Sequence, residues 1–205
     1  MIDQNGRSID YVRISITDRC NLRCIYCMPE EGVCRIEHAQ ILRFEEIIRV
    51  VRILTEVGVK HVRLTGGEPM VRRGCLELAA RLHAIPGVES ISMTSNGILL
   101  NDRVHQAKLA GISSLNISMD ALDPAVYSRV TRGGDVSLVL RVLEQALEEG
   151  LNVKVNTVPV RGINEDDLPG IAALAREAPL CVRFIELMPV GYGMQAERIP
   201  YAAER

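Results

Sequence analysis

Short β-branched or apolar runs alternate along the chain with longer segments whose apolar residues recur every three or four positions. The runs predict strands at Tyr11–Ile16, His61–Thr65, Ser90–Thr94, Ser114–Met119, Asn152–Pro159 and Cys181–Leu187. Between them, Phe44, Ile47, Ile48, Val51 and Leu54 form one helical stripe. Leu138, Val142, Leu143 and Ala146 form another, and Leu76, Ala79, Ala80 and Leu82 a shorter third. Gly58, Gly111 and Gly150 each stand just before a new strand, where a helix ends in a left-handed residue. Asp123-Pro124 reads as an N-cap followed by a first-turn proline, and Asn164 as a second N-cap.

Strand alternating with helix predicts an α/β protein with a parallel sheet. A strand–helix–strand unit takes about 30 residues, so five crossovers linking six strands fit this chain. The expectation is a six-stranded (β/α)6 partial barrel, an incomplete version of the eight-stranded one, in preference to a flat doubly wound sheet. The first interval is longer than a unit needs by roughly 20 residues, and a cluster of cysteines lies inside that excess. Chemistry in βα folds sits at the carboxyl ends of strands. The core domain is expected over residues 1–190, with 191–205 the start of a truncated carboxyl-terminal extension.

Composition narrows the function. Lys and Arg number 24 against 26 Asp and Glu, so no broad field exists for gripping nucleic acid or an anionic membrane. Two Phe, five Tyr and no Trp leave an aliphatic core. No apolar run approaches the length of a membrane span, and the amino-terminal stretch has no secretory pattern. A cytoplasmic chain is expected, so the six cysteines call for metal, catalysis or burial rather than disulfides.

Cys20-x3-Cys24-x2-Cys27 places three thiols within eight residues, flanked by Asp18, Arg19, Asn21 and Arg23. Plain burial suits free cysteines, but these polar neighbours suggest a loop. A zinc site usually needs a second ligand pair, and neither Cys34 nor His38 lies in one. An iron–sulfur cube normally takes four cysteines; three would leave one iron open to another ligand. Leu64-Thr-Gly-Gly-Glu-Pro69, ending the second strand, is either an ordinary turn or a place where backbone meets a ligand and Glu68 meets an ammonium. Cys34, Cys75 and Cys181 read as structural, and the four histidines as surface residues.

Together these segments, with Tyr26 between the last two cysteines, resemble the radical S-adenosylmethionine (SAM) superfamily. Within it, Asp3, Gly6 and Arg7, the run Tyr11 to Pro29, Arg63-Leu-Thr-Gly-Gly-Glu-Pro69, Thr94-Ser-Asn-Gly97, Asn116-Ile-Ser-Met-Asp120, Lys154-Val-Asn156 and Arg183-Phe-Ile-Glu-Leu-Met188 resemble the molybdenum cofactor biosynthesis protein A family of GTP 3′,8-cyclases. The resemblance implies a 4Fe–4S cluster on Cys20, Cys24 and Cys27, with SAM chelating the open iron. Tyr26, Gly66, Gly67, Glu68, Ser118 and Met188 would contact SAM. Arg13, Arg63, Thr94 and Lys154 would contact GTP, an anion that offsets the cost of cations inside a barrel.

The implied activity is that of a radical SAM lyase. It converts GTP to (8S)-3′,8-cyclo-7,8-dihydroguanosine 5′-triphosphate in molybdenum cofactor biosynthesis. An electron donor and a downstream cyclic pyranopterin monophosphate synthase are the implied partners. Readings that stay open are a shorter radical SAM enzyme with another substrate and a non-catalytic metal-binding module. The family's second cluster has no ligands here, because no Cys follows Cys181. The uncovered sheet edge and barrel mouth predict self-association, a homodimer being the simplest form. One local departure from the family is Arg43 in place of a Thr-type helix cap, at a cost of about 1 kcal/mol.

Overall fold

The computed structural model describes residues 2–34 and 36–188. Among them run β1 (Tyr11–Ser15), α1 (Phe44–Glu56), β2 (His61–Thr65), α2 (Cys75–His83), β3 (Ser90–Ser95), α3 (Val104–Leu109), β4 (Ile112–Ser118), α4 (Pro124–Thr131), α5 (Val136–Glu148), β5 (Asn152–Thr157), α6 (Leu168–Glu177) and β6 (Leu180–Phe184). All neighbouring strands pair in parallel, in the order β1-β2-β3-β4-β5-β6. A doubly wound sheet reverses direction at a switch point; this one never does. It is the expected partial barrel, open between β1 and β6.

The helices begin and end for local reasons. Asp123 Oδ1 accepts from Ala125 and Val126 N–H at the start of α4, as expected from its Asp-Pro pair. At the ends of α1 and α5, Gly58 and Gly150 take positive φ, and the residues after them, Val59 and Leu151, donate back to Leu54 and Ala146 carbonyls. Arg43 is a better helix start than its type suggests. Glu46 Oε2 reaches back to accept its N–H at 2.7 Å, half of a capping box. Asn164 stands at the expected N-cap position, before the short 3-10 helix Glu165–Asp167, but its side chain makes no capping bond. It is buried, accepting from Val160 N–H and donating to the carbonyls of Asp120 and Val158.

The apolar core lies between the helices and one face of the sheet. Val62, Leu64, Ile91, Met93, Leu115, Ile117, Val153 and Val155 point into it and meet Ile47, Val51, Leu78, Leu82, Val139 and Val142 from the helices. The alternate residues face the other way and are polar. Parallel register sets Arg13 beside Arg63, and Arg63 beside Ser92. Thr94, Asn116, Lys154 and Cys181 form a second row, and Ser118, Asn156 and Arg183 a third. Parallel strands covered on both faces are usually apolar throughout; here one face is kept for something polar.

The unassigned cysteines and histidines divide. Cys75 is buried, as expected, but Cys34 and Cys181 are exposed and fill no core position. His61 is not a surface residue. It is half-buried in β2, its Nδ1 2.9 Å from Ser90 Oγ. No helix of the described residues is long and apolar enough to cross a membrane. The expectation for residues 191–205 lies outside the described residues.

Candidate functional site

The cysteine loop follows β1 and rests on the turn after β2. Ile16 N–H donates to Thr65 O, Gly67 N–H to Thr17 O and Glu68 N–H to Arg19 O, at 2.8–2.9 Å. The two backbones approach so closely that only glycine fits. A Cβ on Gly66 would stand 2.5 Å from Thr17 O, and one on Gly67 would overlap Arg19 O. The Gly-Gly pair therefore holds the loop that carries the cysteines.

Glu68 is fully buried, and its oxygens are taken by the chain's own donors. Oε1 accepts from Met70 N–H at 3.1 Å and Ser95 Oγ at 2.9 Å, and Oε2 from Asn96 N–H at 2.7 Å. Burial pushes its carboxyl above the usual range against the pull of those bonds. Glu68 thus ties the end of β2 to the end of β3. Asn96, delivered by that tie, donates from Nδ2 to Asn21 Oδ1 at 2.8 Å and lies 3.8 Å from Cys20 Sγ.

Cys20 and Cys24 are half-buried and Cys27 is exposed. Burial raises all three thiols. Asp120 and the other two sulfurs add to the rise at Cys24, as do Cys20 and Asp120 at Cys27. The three are near enough to feel one another's charge, although among the described residues no three His, Cys, Asp or Glu side chains gather tightly enough to hold a single metal ion. A cubic cluster takes each thiolate on a different iron, so it needs no convergence on one point. Leu22 N–H donates to Cys20 Sγ at 3.4 Å, the type of bond that tunes cluster sulfurs. The donor set fits a cluster.

Tyr26, between the last two cysteines, donates to Asp120 Oδ2 at 2.6 Å, and Asp120 Oδ1 accepts from Val158 N–H at 2.8 Å. Asp120 is buried, and burial pushes its carboxyl up to about 6 against those two bonds.

The strand cations share the polar face. Arg63 lies 5.2 Å over the Tyr11 ring and donates to Ser92 Oγ at 3.1 Å. Burial lowers it from the ordinary arginine range, and the charges of Arg183 and Arg13 add to that while Tyr11 opposes. Arg183 donates to Asn156 Oδ1 and Asn116 Oδ1, both at 3.0 Å. Asn116 is fully buried, yet its Nδ2 has no partner. Two arginines in direct register repel, and an unpaired buried amide is costly. An anion with several oxygens would offset the repulsion between the two arginines.

Arg13, Arg63, Thr94 and Lys154 are gathered on this face, and Ser118 closes its β4 row. Gly66, Gly67 and the cysteine loop border it at the carboxyl ends of the strands. Met188 lies beyond β6 and is 59% exposed. Asn116, Asn96, Asp120 and Arg183 were not singled out as site residues from the sequence. The signal for Arg183 was available: in β6 it has the parity that puts Lys154 on the polar face of β5.

Residues 14–175 match the Radical SAM superfamily. The chain belongs to the radical SAM superfamily. Members of this family carry a 4Fe–4S cluster and SAM. The chain is 53% identical over 192 residues to a GTP 3′,8-cyclase from Petrotoga mobilis, covering 93% of this chain and 59% of that protein. It is 44% identical over 202 residues to one from Clostridium botulinum, covering 98% and 63%. It spans about three fifths of the length of these curated relatives. Among solved structures, Streptococcus suis SuiB bound to SAM superposes with a TM-score of 0.63 at 15% identity, covering 86% of this chain and 50% of that one; that likeness shows the fold.

Proposed function

We propose that this chain is the SAM-cleaving core of a GTP 3′,8-cyclase. The observation that carries the reading is 53% identity to such an enzyme over 93% of the chain, and the cationic polar face suits its triphosphate substrate. Cys20, Cys24 and Cys27 would hold the cluster. Cluster and SAM, when bound, would supply one-electron reductive cleavage of the sulfonium, with the electron coming from the external donor.

The chain's own part is placement. Tyr26, fixed by Asp120, lines the adenosyl side, and Ser118 and Met188 are further contacts to SAM. Gly66 and Gly67 bring backbone to the methionine end, and Glu68, its oxygens held by Met70, Ser95 and Asn96, fixes the turn that presents them. Arg13, Arg63, Thr94 and Lys154 hold the triphosphate; guanidinium forks match phosphate oxygens and fix the ribose relative to SAM. A cytoplasmic setting, an electron donor and delivery of product to a cyclic pyranopterin monophosphate synthase belong to the same reading.

The test is anaerobic reconstitution with iron and sulfide, then SAM and dithionite, with chromatography for 5′-deoxyadenosine. The expected result is deoxyadenosine that rises with GTP and vanishes in Cys24→Ala. A full cluster with no deoxyadenosine overturns the reading. Deoxyadenosine indifferent to GTP keeps the radical SAM core and rejects GTP as substrate.

A further inference from the structure

The cysteine loop leans on a second element with no ligand of its own. Arg23 N–H donates to Thr131 O at 3.1 Å and Ile25 N–H to Val130 O at 2.9 Å, so the loop occupies the last carbonyls of α4. Arg132, the next residue, sends Nη1 to Arg23 O and to Met28 O, each at 2.9 Å. Those two carbonyls bracket Cys24-Ile25-Tyr26-Cys27. Leu22 packs the same seat, since a Cβ on Gly134 would stand 3.2 Å from its side chain.

Arg132 makes these bonds from a backbone that does not suit it. Its φ of 54° and ψ of 59° are left-handed, at a helix end where glycine is the usual occupant. Among the described residues only Asp102 shares a positive φ without being glycine. Gly133 and Gly134 follow immediately, so the turn has two glycines and still places an arginine at the strained position. Strain of this kind persists where the surroundings hold it in place, and here what holds it is the pair of loop carbonyls.

We infer that Arg132 is a positioning residue for the cluster: its guanidinium clamps both ends of the Cys24–Cys27 segment against α4 and fixes the spread of the sulfurs. The inference rests on the cluster reading above. A mere helix cap would make the opposite demand on substitutions. Glycine relieves the backbone and alanine does not, so a cap role separates the two variants, whereas a clamp role joins them.

The experiment compares wild type, Arg132→Gly and Arg132→Ala. Iron release to a chelator is followed anaerobically in the reconstituted chains. Thermal midpoints and amide exchange at Arg23 and Ile25 are followed in the metal-free chains. The expected result is iron loss roughly 10- to 100-fold faster in both variants, with Arg132→Gly melting above Arg132→Ala. Iron loss at the wild-type rate in Arg132→Gly, or iron loss that follows the melting order, overturns the inference. If wild type takes up no cluster, the functional reading fails instead. The clamp is then decided by exchange, expected several-fold faster at both amides in both variants; unchanged exchange overturns it.

Discussion

Replacing Glu68 separates two roles for the same carboxylate. Read as a ligand contact, it should be dispensable for the folded chain without SAM. Read from its bonds, it is a strut: Oε1 and Oε2 receive Met70 N–H, Ser95 Oγ–H and Asn96 N–H in a fully buried setting. Glu68→Ala leaves those donors facing a cavity. The Ser95 hydroxyl can turn, but the two amides cannot. At about 1–3 kcal/mol for each buried orphan, less the relief of no longer burying a carboxylate, the net cost is about 2–4 kcal/mol. That is a large share of the 5–15 kcal/mol that holds a typical domain together.

Glu68→Gln keeps the volume but turns one acceptor into a donor against an amide, for about 1–3 kcal/mol. Urea unfolding of the metal-free chain in reductant, with no SAM present, measures both. A Glu68→Ala chain within about 0.5 kcal/mol of wild type, the range of ordinary surface changes, would refute the strut and return Glu68 to a contact made only with ligand.

Three further outcomes are expected. Asp120 has its carboxyl raised from 3.8 to about 6 by burial. The folded chain therefore holds this proton more tightly than the unfolded one, and the stability it contributes is present below about pH 4 and lost as pH rises through 6. The difference in unfolding free energy between wild type and Asp120→Asn should change by on the order of 3 kcal/mol across that window; a flat difference rejects the shift. Gly67→Ala places a methyl on Arg19 O and should displace the cysteine loop, costing about 2 kcal/mol or more and loosening iron in the reconstituted chain; a crystal structure with the loop unmoved would contradict this. Arg183→Ala frees Asn116 and Asn156 and should weaken GTP binding by about tenfold, with a shallower salt dependence by calorimetry; unchanged affinity would show that Arg183 takes no part in holding the triphosphate.

The number of strands, their parallel order and the place of the cysteines were legible in the sequence. Alternation with period two, helical stripes between, and glycines at helix ends are local signals that need no knowledge of what packs where. The same holds for the spacing of Cys20, Cys24 and Cys27, which the chain itself fixes. The part played by each polar residue was not legible. Glu68 read as a ligand contact, and its buried tie between β2 and β3 had no local sign; Asn164 read as a helix cap, and its buried cross-link to Val160, Asp120 and Val158 had none either.

Bonds from Tyr26 to Asp120 and from Arg132 to Arg23 and Met28 join residues 94, 109 and 104 apart. Nothing local in a chain marks its partner at that distance. Burial and hydrogen-bond geometry exist only once the sheet has brought its strand ends together, and they decide which polar side chains support the site and which are left to meet a ligand.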